Sequence, residues 1–152
     1  MKIILVQHGD AVPEEMDSER PLSAMGKEQA RRAGEFLHAI SACPALIVHS
    51  GKKRAQETAE IISDALGGVR MEVRGHLNPK DGIERIVAEI QASEASLMVV
   101  GHMPFLGRLA SSLVGAEETR MVVDVAQASP LIFSRSEGRY LLDTYVKNDY
   151  LR

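Results

Sequence analysis

Three apolar runs of this sequence each lead into a residue that could take part in chemistry. The first run ends at His8, the second leads through a polar turn into Arg54, and the third ends at His102. A neutral imidazole is a good nucleophile near neutral pH, because its unperturbed pKa is about 6.5. An arginine and a protonated second histidine would stabilise the charge spread over a phosphoryl group. This combination predicts phosphoryl transfer through a covalent intermediate on a histidine.

The predicted elements place these three residues at one edge of a sheet. Strands are expected at residues 3–6, 45–49 and 96–101, with helices alternating between them. Ligands of open α/β sheets bind outside the carboxyl ends of the strands, which is where His8, Arg54 and His102 fall. Further expected elements are helices at about 23–41, 53–66, 82–91 and 104–114, a brief edge strand at 71–73, and strands at 131–134 and 140–146 joined through Glu137 and Gly138. The predicted fold class is therefore α/β, with three α/β/α layers and a mostly parallel sheet that closes with an antiparallel hairpin.

Two backbone features add to this predicted site. Gly9, directly after His8, would leave room beside the nucleophile for the close approach of a ligand. The helix expected to begin near Met103 would aim backbone N–H groups at an anion, because the first turn of a helix has donors without intrahelical partners. Met103 is therefore a predicted phosphate-binding residue next to His102.

The bulk composition limits the classes of protein to which this chain can belong. Its 152 residues fit one domain, residues 1–152, and a hydrophobic content of 45% is enough to fill one core. The net charge of −3, with both signs mixed along the chain, argues against a nucleic-acid partner and against a membrane anchor. Cys43 is the only cysteine, and no segment has the length of a signal-peptide core or a transmembrane helix. We therefore expect a cytoplasmic protein.

Four segments resemble motifs of the histidine phosphatase superfamily, in the order in which that family carries them. LVQHGDA at 5–11 is similar to LVRHGxA, RPLSAMGKEQA at 20–30 to PLTxxGxxQA, HSGKKRAQETAEII at 49–62 to SPxxRAxQTAEII, and VVGHMP at 99–104 to VxGHxP. The small members of this superfamily include the SixA-type phosphohistidine phosphatases. The resemblance implies a phosphoglycerate mutase-like fold and phosphatase activity.

The resemblance also implies a role for each matching residue. His8 would be the phosphorylated nucleophile, and Arg54 and His102 would bind and polarise the phosphoryl group. Gln7 stands where the family usually has an arginine, so it would offer the phosphate neutral donors in place of a charged fork. We therefore expect a slow phosphatase whose rate rises when Gln7 is replaced by arginine. The basic pair Lys52–Lys53 is a candidate for supplying the missing charge.

The substrate that the resemblance implies is phosphohistidine in a phosphorelay or phosphotransfer protein, and two other functions stay open. A small phosphorylated metabolite is an alternative substrate, and a phospho-ligand binding module that lost turnover through Gln7 is an alternative function. Asp10 is either the acid that protonates the leaving group or a loop cap, while Asn78 stands where larger members would carry an acidic residue. No cofactor or metal is expected, since HxH and HExxH spacings are missing and Arg54 would repel a cation.

Overall fold

The elements of the structure follow the alternation of buried apolar runs and amphipathic stripes in the sequence. The computed structural model describes all 152 residues, from Met1 to Arg152. In chain order the elements are β1 (Lys2–Gln7), α1 (Ala24–Ala39), β2 (Leu46–His49), α2 (Lys53–Ala65), β3 (Met71–Val73), α3 (Glu84–Ala92), β4 (Leu97–Gly101), α4 (Phe105–Leu113), β5 (Leu131–Ser136) and β6 (Arg139–Tyr145), followed by a 3-10 helix at Asn148–Tyr150. The predicted elements are all present, and their ends differ from the predicted ones by at most about two residues.

The six strands form one mixed sheet in the order β3-β2-β4-β1-β5-β6. β1 lies parallel to β4, and β2 lies parallel to both β4 and β3. β5 runs antiparallel to both β1 and β6, so the chain closes with an antiparallel hairpin as predicted. The hairpin turn is made by Glu137 and Gly138, whose positive φ angles of 49° and 76° suit a two-residue turn between twisted strands.

Helices cover both faces of the sheet and give the predicted three layers. Residues on alternate positions of β1 belong to two separate buried clusters, because successive side chains of a strand point to opposite faces. Ile3 and Leu5 pack in the cluster that includes residues of α3 and α4, whereas Ile4 and Val6 pack in the cluster that includes residues of α1 and α2. A strand buried on both faces explains why the first apolar run does not alternate with polar residues.

The start of α1 is tied to the loop that follows β1. Ser23 is the N-cap of α1, since its Oγ accepts a hydrogen bond of 3.0 Å from the N–H of Gly26. The same hydroxyl donates to Asp10 Oδ2 at 2.5 Å, and the Ser23 N–H donates to the Asp10 carbonyl at 3.0 Å. This pairing fixes the segment directly after the strand that carries His8.

The helix expected to begin near Met103 begins at Phe105, with Pro104 as its N-cap residue. Proline has no N–H, so one of the donors expected in this first turn is missing. None of the helices is both long and apolar enough to cross a membrane.

Candidate active site

The structure brings His8, Arg54 and His102 together at the carboxyl edge of the sheet. His8 directly follows β1 and its N–H donates to the carbonyl of Gly101, the last residue of β4, at 3.0 Å. The rings of His8 and His102 lie 5.1 Å apart between centroids and are tilted by 53°. Arg54, in the first turn of α2, places its Nε 3.3 Å from Nε2 of His8. The convergence follows from the parallel order of β2, β4 and β1.

His8 presents an unprotonated nitrogen toward Arg54. Its Nδ1 lies 2.7 Å from the carbonyl oxygen of Gly9, and because a carbonyl only accepts, Nδ1 carries the proton of the neutral ring. Nε2 is then left with its lone pair, to which the Arg54 Nε–H donates. Burial is the main cause that lowers the pKa of His8 to about 4, and the charges of Arg54 and Arg20 act in the same direction against the opposing hydrogen bond to Gly9. At neutral pH the ring is therefore uncharged and can act as a nucleophile.

His102 is also neutral near pH 7, so the expectation of a protonated second histidine is wrong in this structure. Burial is the main cause that lowers its pKa to about 3, and the neighbouring His8, Arg54, Lys52 and Arg20 contribute in the same direction. A ring that is only 2% exposed and surrounded by positive charge loses its proton readily. His102 can still donate one hydrogen bond to a phosphoryl oxygen as a neutral imidazole.

Ser50 fixes the ring of His102. Its Oγ lies 2.6 Å from Nε2 of His102, and both side chains are buried. Nδ1 of His102 is buried without any hydrogen-bond partner. A buried polar nitrogen without a partner costs about 1–3 kcal/mol when it carries a proton, which a bound acceptor would offset.

Gly9 serves the packing of the loop and does not leave open space beside His8, contrary to the expectation. A Cβ on Gly9 would lie 2.6 Å from the carbonyl oxygen of Gly26, and a Cβ on Gly26 would lie 2.0 Å from that of Asp10. The first turn of α1 therefore rests directly on the backbone that follows His8. The Gly9 N–H donates to Thr58 Oγ1 at 3.0 Å, and that hydroxyl donates to the carbonyl of Arg54 at 2.7 Å.

Asp10, the candidate acid of the sequence, and Asn78, which stands where an acid was expected, are both hydrogen-bonded within the chain. Asp10 accepts from Ser23 as described above, and its N–H donates to Gln29 Oε1 at 2.8 Å. This is the geometry of a loop cap. Asn78 donates its side-chain amide to the carbonyl of Gly75 at 3.1 Å.

Gln7 and Met103 border the three central residues. Gln7 ends β1, is half-buried and has no side-chain hydrogen bond, while its carbonyl accepts from the Ala128 N–H at 2.8 Å. By the two-residue period of the strand it shares the face of Ile3 and Leu5. Met103 packs its side chain against the cluster on that same face, and its backbone N–H makes no hydrogen bond within the chain. Both residues are sequence neighbours of the two histidines at the carboxyl edge of the sheet, and their contact with phosphate stays a prediction.

The sequence alone did not identify two residues that lie at this candidate site, Ser50 and Arg20. Ser50 directly follows β2, so the rule about strand ends could have identified it. Arg20 lies in a polar loop without hydrophobic periodicity, and only the fold brings its charge close enough to act on His8, Arg54 and His102. No group of three or more His, Cys, Asp or Glu side chains is arranged to hold a metal ion.

Comparisons with known proteins agree with this architecture. The family described as the histidine phosphatase superfamily (branch 1) matches residues 3–81, slightly more than half of the chain. The phosphohistidine phosphatase SixA of Escherichia coli (strain K12) is 28% identical over 146 residues, which cover 92% of this chain and 91% of that protein. The solved structure of the protein histidine phosphatase SixA complexed with tungstate has a TM-score of 0.86 at 24% identity, over 98% of both chains. The alpha-ribazole phosphatase from Shigella flexneri has a TM-score of 0.81 at 18% identity, over 97% of both chains.

Proposed function

Since this chain belongs to the histidine phosphatase superfamily, we propose that it hydrolyses phosphohistidine in a protein through a covalent intermediate on His8. The observation that carries the proposal is the neutral His8 ring, whose Nδ1 is held by the Gly9 carbonyl and whose Nε2 lone pair faces Arg54. This fixed orientation supplies a nucleophile without any further change of protonation.

In the first step, Nε2 of His8 attacks phosphorus, and the bond from phosphorus to the substrate's imidazole nitrogen breaks. The departing imidazole keeps the electron pair of that bond and takes up a proton. In the second step, a water molecule attacks phosphorus, the bond to Nε2 breaks, and His8 regains its lone pair as inorganic phosphate leaves. The water gives up one proton, so the two steps together consume one water molecule.

Arg54 and His102 would bind the phosphoryl oxygens in both steps. The Arg54 guanidinium lies against Nε2 of His8, the atom to which the phosphoryl group becomes bonded, so its remaining N–H groups are within reach of the oxygens. His102 would donate from a neutral ring held by Ser50. Gln7 and the backbone N–H of Met103 would add neutral donors at the rim.

A phosphohistidine substrate fits a site in which neither Asp10 nor Asn78 is a free acidic side chain placed to protonate the leaving group. The leaving group of a phosphomonoester is an alkoxide, which needs a proton donor. The leaving group of phosphohistidine is an imidazole ring, which can take up a proton near neutral pH. Asp10 is occupied by Ser23, and Asn78 is not an acid. The similarity to the phosphohistidine phosphatase SixA over nearly the whole chain supports the same choice of substrate.

The experiment is a time course of dephosphorylation with a phosphotransfer protein that carries ³²P-labelled phosphohistidine. Wild type is compared with His8→Ala and with His38→Ala, which removes an exposed histidine outside the site. We expect His8→Ala to lose several orders of magnitude in rate and His38→Ala to match wild type. Acid-labile label should appear on the wild-type protein during turnover. Retention of more than about a tenth of the activity by His8→Ala would rule out the covalent mechanism.

A parallel panel of sugar phosphates tests the alternative substrates. Faster turnover of one of these than of the phosphorylated protein would assign a small phosphorylated metabolite instead. Phosphate binding without turnover of any substrate would identify a binding module.

A further inference from the structure

The loop between β1 and α1 folds back on itself and returns a charged residue to the site. The Val12 N–H donates to the carbonyl of Pro21 at 2.8 Å, and the Leu22 N–H donates to Glu57 Oε2 at 2.6 Å. Arg20 lies on the returning side, where its Nε–H donates to the carbonyl of Val12 at 3.2 Å. Its φ of 48° is in the left-handed region, which is uncommon for a residue other than glycine and is held here by the loop's long-range bonds.

Arg20 and Arg54 are half-buried arginines without a carboxylate partner. Arg74, which is also half-buried, is by contrast paired with Glu72 and Glu89 at 2.8 Å, while Arg108 donates to the carbonyls of Pro79 and Asp81. Burial lowers the pKa of Arg54, and the Arg20 charge lowers it further, so the two guanidinium groups repel each other across the site. Arg20 also contributes to the low pKa values of His8 and His102, behind the larger effect of burial. An anion between the two arginines would turn this repulsion into attraction.

The space next to Arg54 is polar, and the two residues that precede Arg20 border it. A cavity of about 450 Å³ lies between the returning loop and the start of α2, and none of its lining residues is hydrophobic. Ser18 and Glu19, which precede Arg20, line one side, and Lys52 and Arg54 are on the other. Lys52 is exposed, whereas Arg20 is half-buried and its charge lowers the pKa of His8, His102 and Arg54.

We propose that Arg20 is a phosphoryl-binding residue and supplies the positive charge that position 7 lacks. The two outer N–H groups of its guanidinium are unpaired, because only Nε is bonded to the loop. The proposal rests on the proposed function for the identity of the ligand, a phosphoryl group. It replaces the expectation that Lys52 or Lys53 provides this charge.

The test is a cycle of four proteins: wild type, Arg20→Gln, Gln7→Arg and the double variant. Two quantities are measured on each, the Kd for inorganic phosphate by calorimetry and kcat/KM on the phosphohistidine protein. We expect Arg20→Gln to lower kcat/KM by about 10²-fold, the loss typical of one donor at a charged transition state. Adding Gln7→Arg to that variant should raise kcat/KM at least tenfold, because the new arginine restores the positive charge from a different element. Arg70→Gln, which alters an exposed arginine outside the site, should match wild type.

Each result either supports or overturns the proposal. If Arg20→Gln changes phosphate affinity and rate by less than about twofold, Arg20 does not bind the phosphoryl group. If the loss is large but the double variant recovers nothing, and Arg20→Lys is as impaired as Arg20→Gln, Arg20 acts only by bonding Val12. The Kd for inorganic phosphate tests the role of Arg20 independently of whether the protein hydrolyses phosphohistidine. A wild type that binds phosphate through Arg20 but leaves phosphohistidine intact would refute the function alone.

Discussion

Acidification should destabilise the folded protein through His8, and the size of the effect follows from its burial. The pKa of His8 is lowered from 6.5 to about 4 in the folded state. Between these two values the unfolded chain binds more protons than the folded one, so stability falls as pH falls through this window and is constant below it. The linkage relation gives a loss of about 2 kcal/mol between pH 7.5 and pH 5 from this ring alone.

The assay is urea unfolding of wild type and His8→Gln at pH 7.5 and pH 5. His8→Gln removes the titrating ring and leaves His102 and the carboxylates in place, so their contributions cancel in the difference between the two proteins. Wild type should lose about 2 kcal/mol more than the variant on acidification. An equal loss in both proteins, or a larger loss in the variant, would show that His8 is not held neutral by burial and its charged neighbours.

Three further outcomes test the supports of the site. Ser50→Ala should lower kcat/KM and cost about 1 kcal/mol of unfolding free energy by removing the bond to His102, with partial recovery in Ser50→Thr. Gly26→Ala should destabilise the folded protein by about 1–3 kcal/mol or more and abolish turnover, since its Cβ would lie 2.0 Å from the Asp10 carbonyl oxygen. The control Gly75→Ala, whose Cβ has no atom within 4 Å, should leave thermal unfolding unchanged. Turnover should persist in excess EDTA, and activity that is lost there and restored by zinc or magnesium would contradict the metal-free mechanism.

The sheet and the three central residues could be predicted because they depend on strong and local signals. Buried apolar runs mark the strands, and the parallel order of those strands brings His8, Arg54 and His102 to one edge. A residue's position at a strand end is enough for this inference. It needs no knowledge of side-chain contacts.

The parts that could not be predicted depend on long-range contacts or on burial. The path of the loop that carries Arg20 is set by bonds to Val12 and to Glu57 on a later helix, and its sequence has no periodicity that reveals them. The neutral state of His102 results from burial and neighbouring charges, so the residue type alone suggested the wrong protonation state. Gly9 looked like space for a ligand because the approach of α1 is visible only in three dimensions.

The position of β1 inside the sheet has a consequence for the motions of His8, the proposed nucleophile. β1 is hydrogen-bonded to β4 on one side and β5 on the other, and Ile3 to Val6 are fully buried. Amides of such a central strand exchange with solvent only when the whole molecule unfolds, whereas edge strands open locally. Hydrogen exchange at Ile4 and Leu5 should therefore report the global free energy of unfolding. His8 follows this strand and its N–H is bonded to the Gly101 carbonyl, so its position at the edge of the sheet is set when the chain folds.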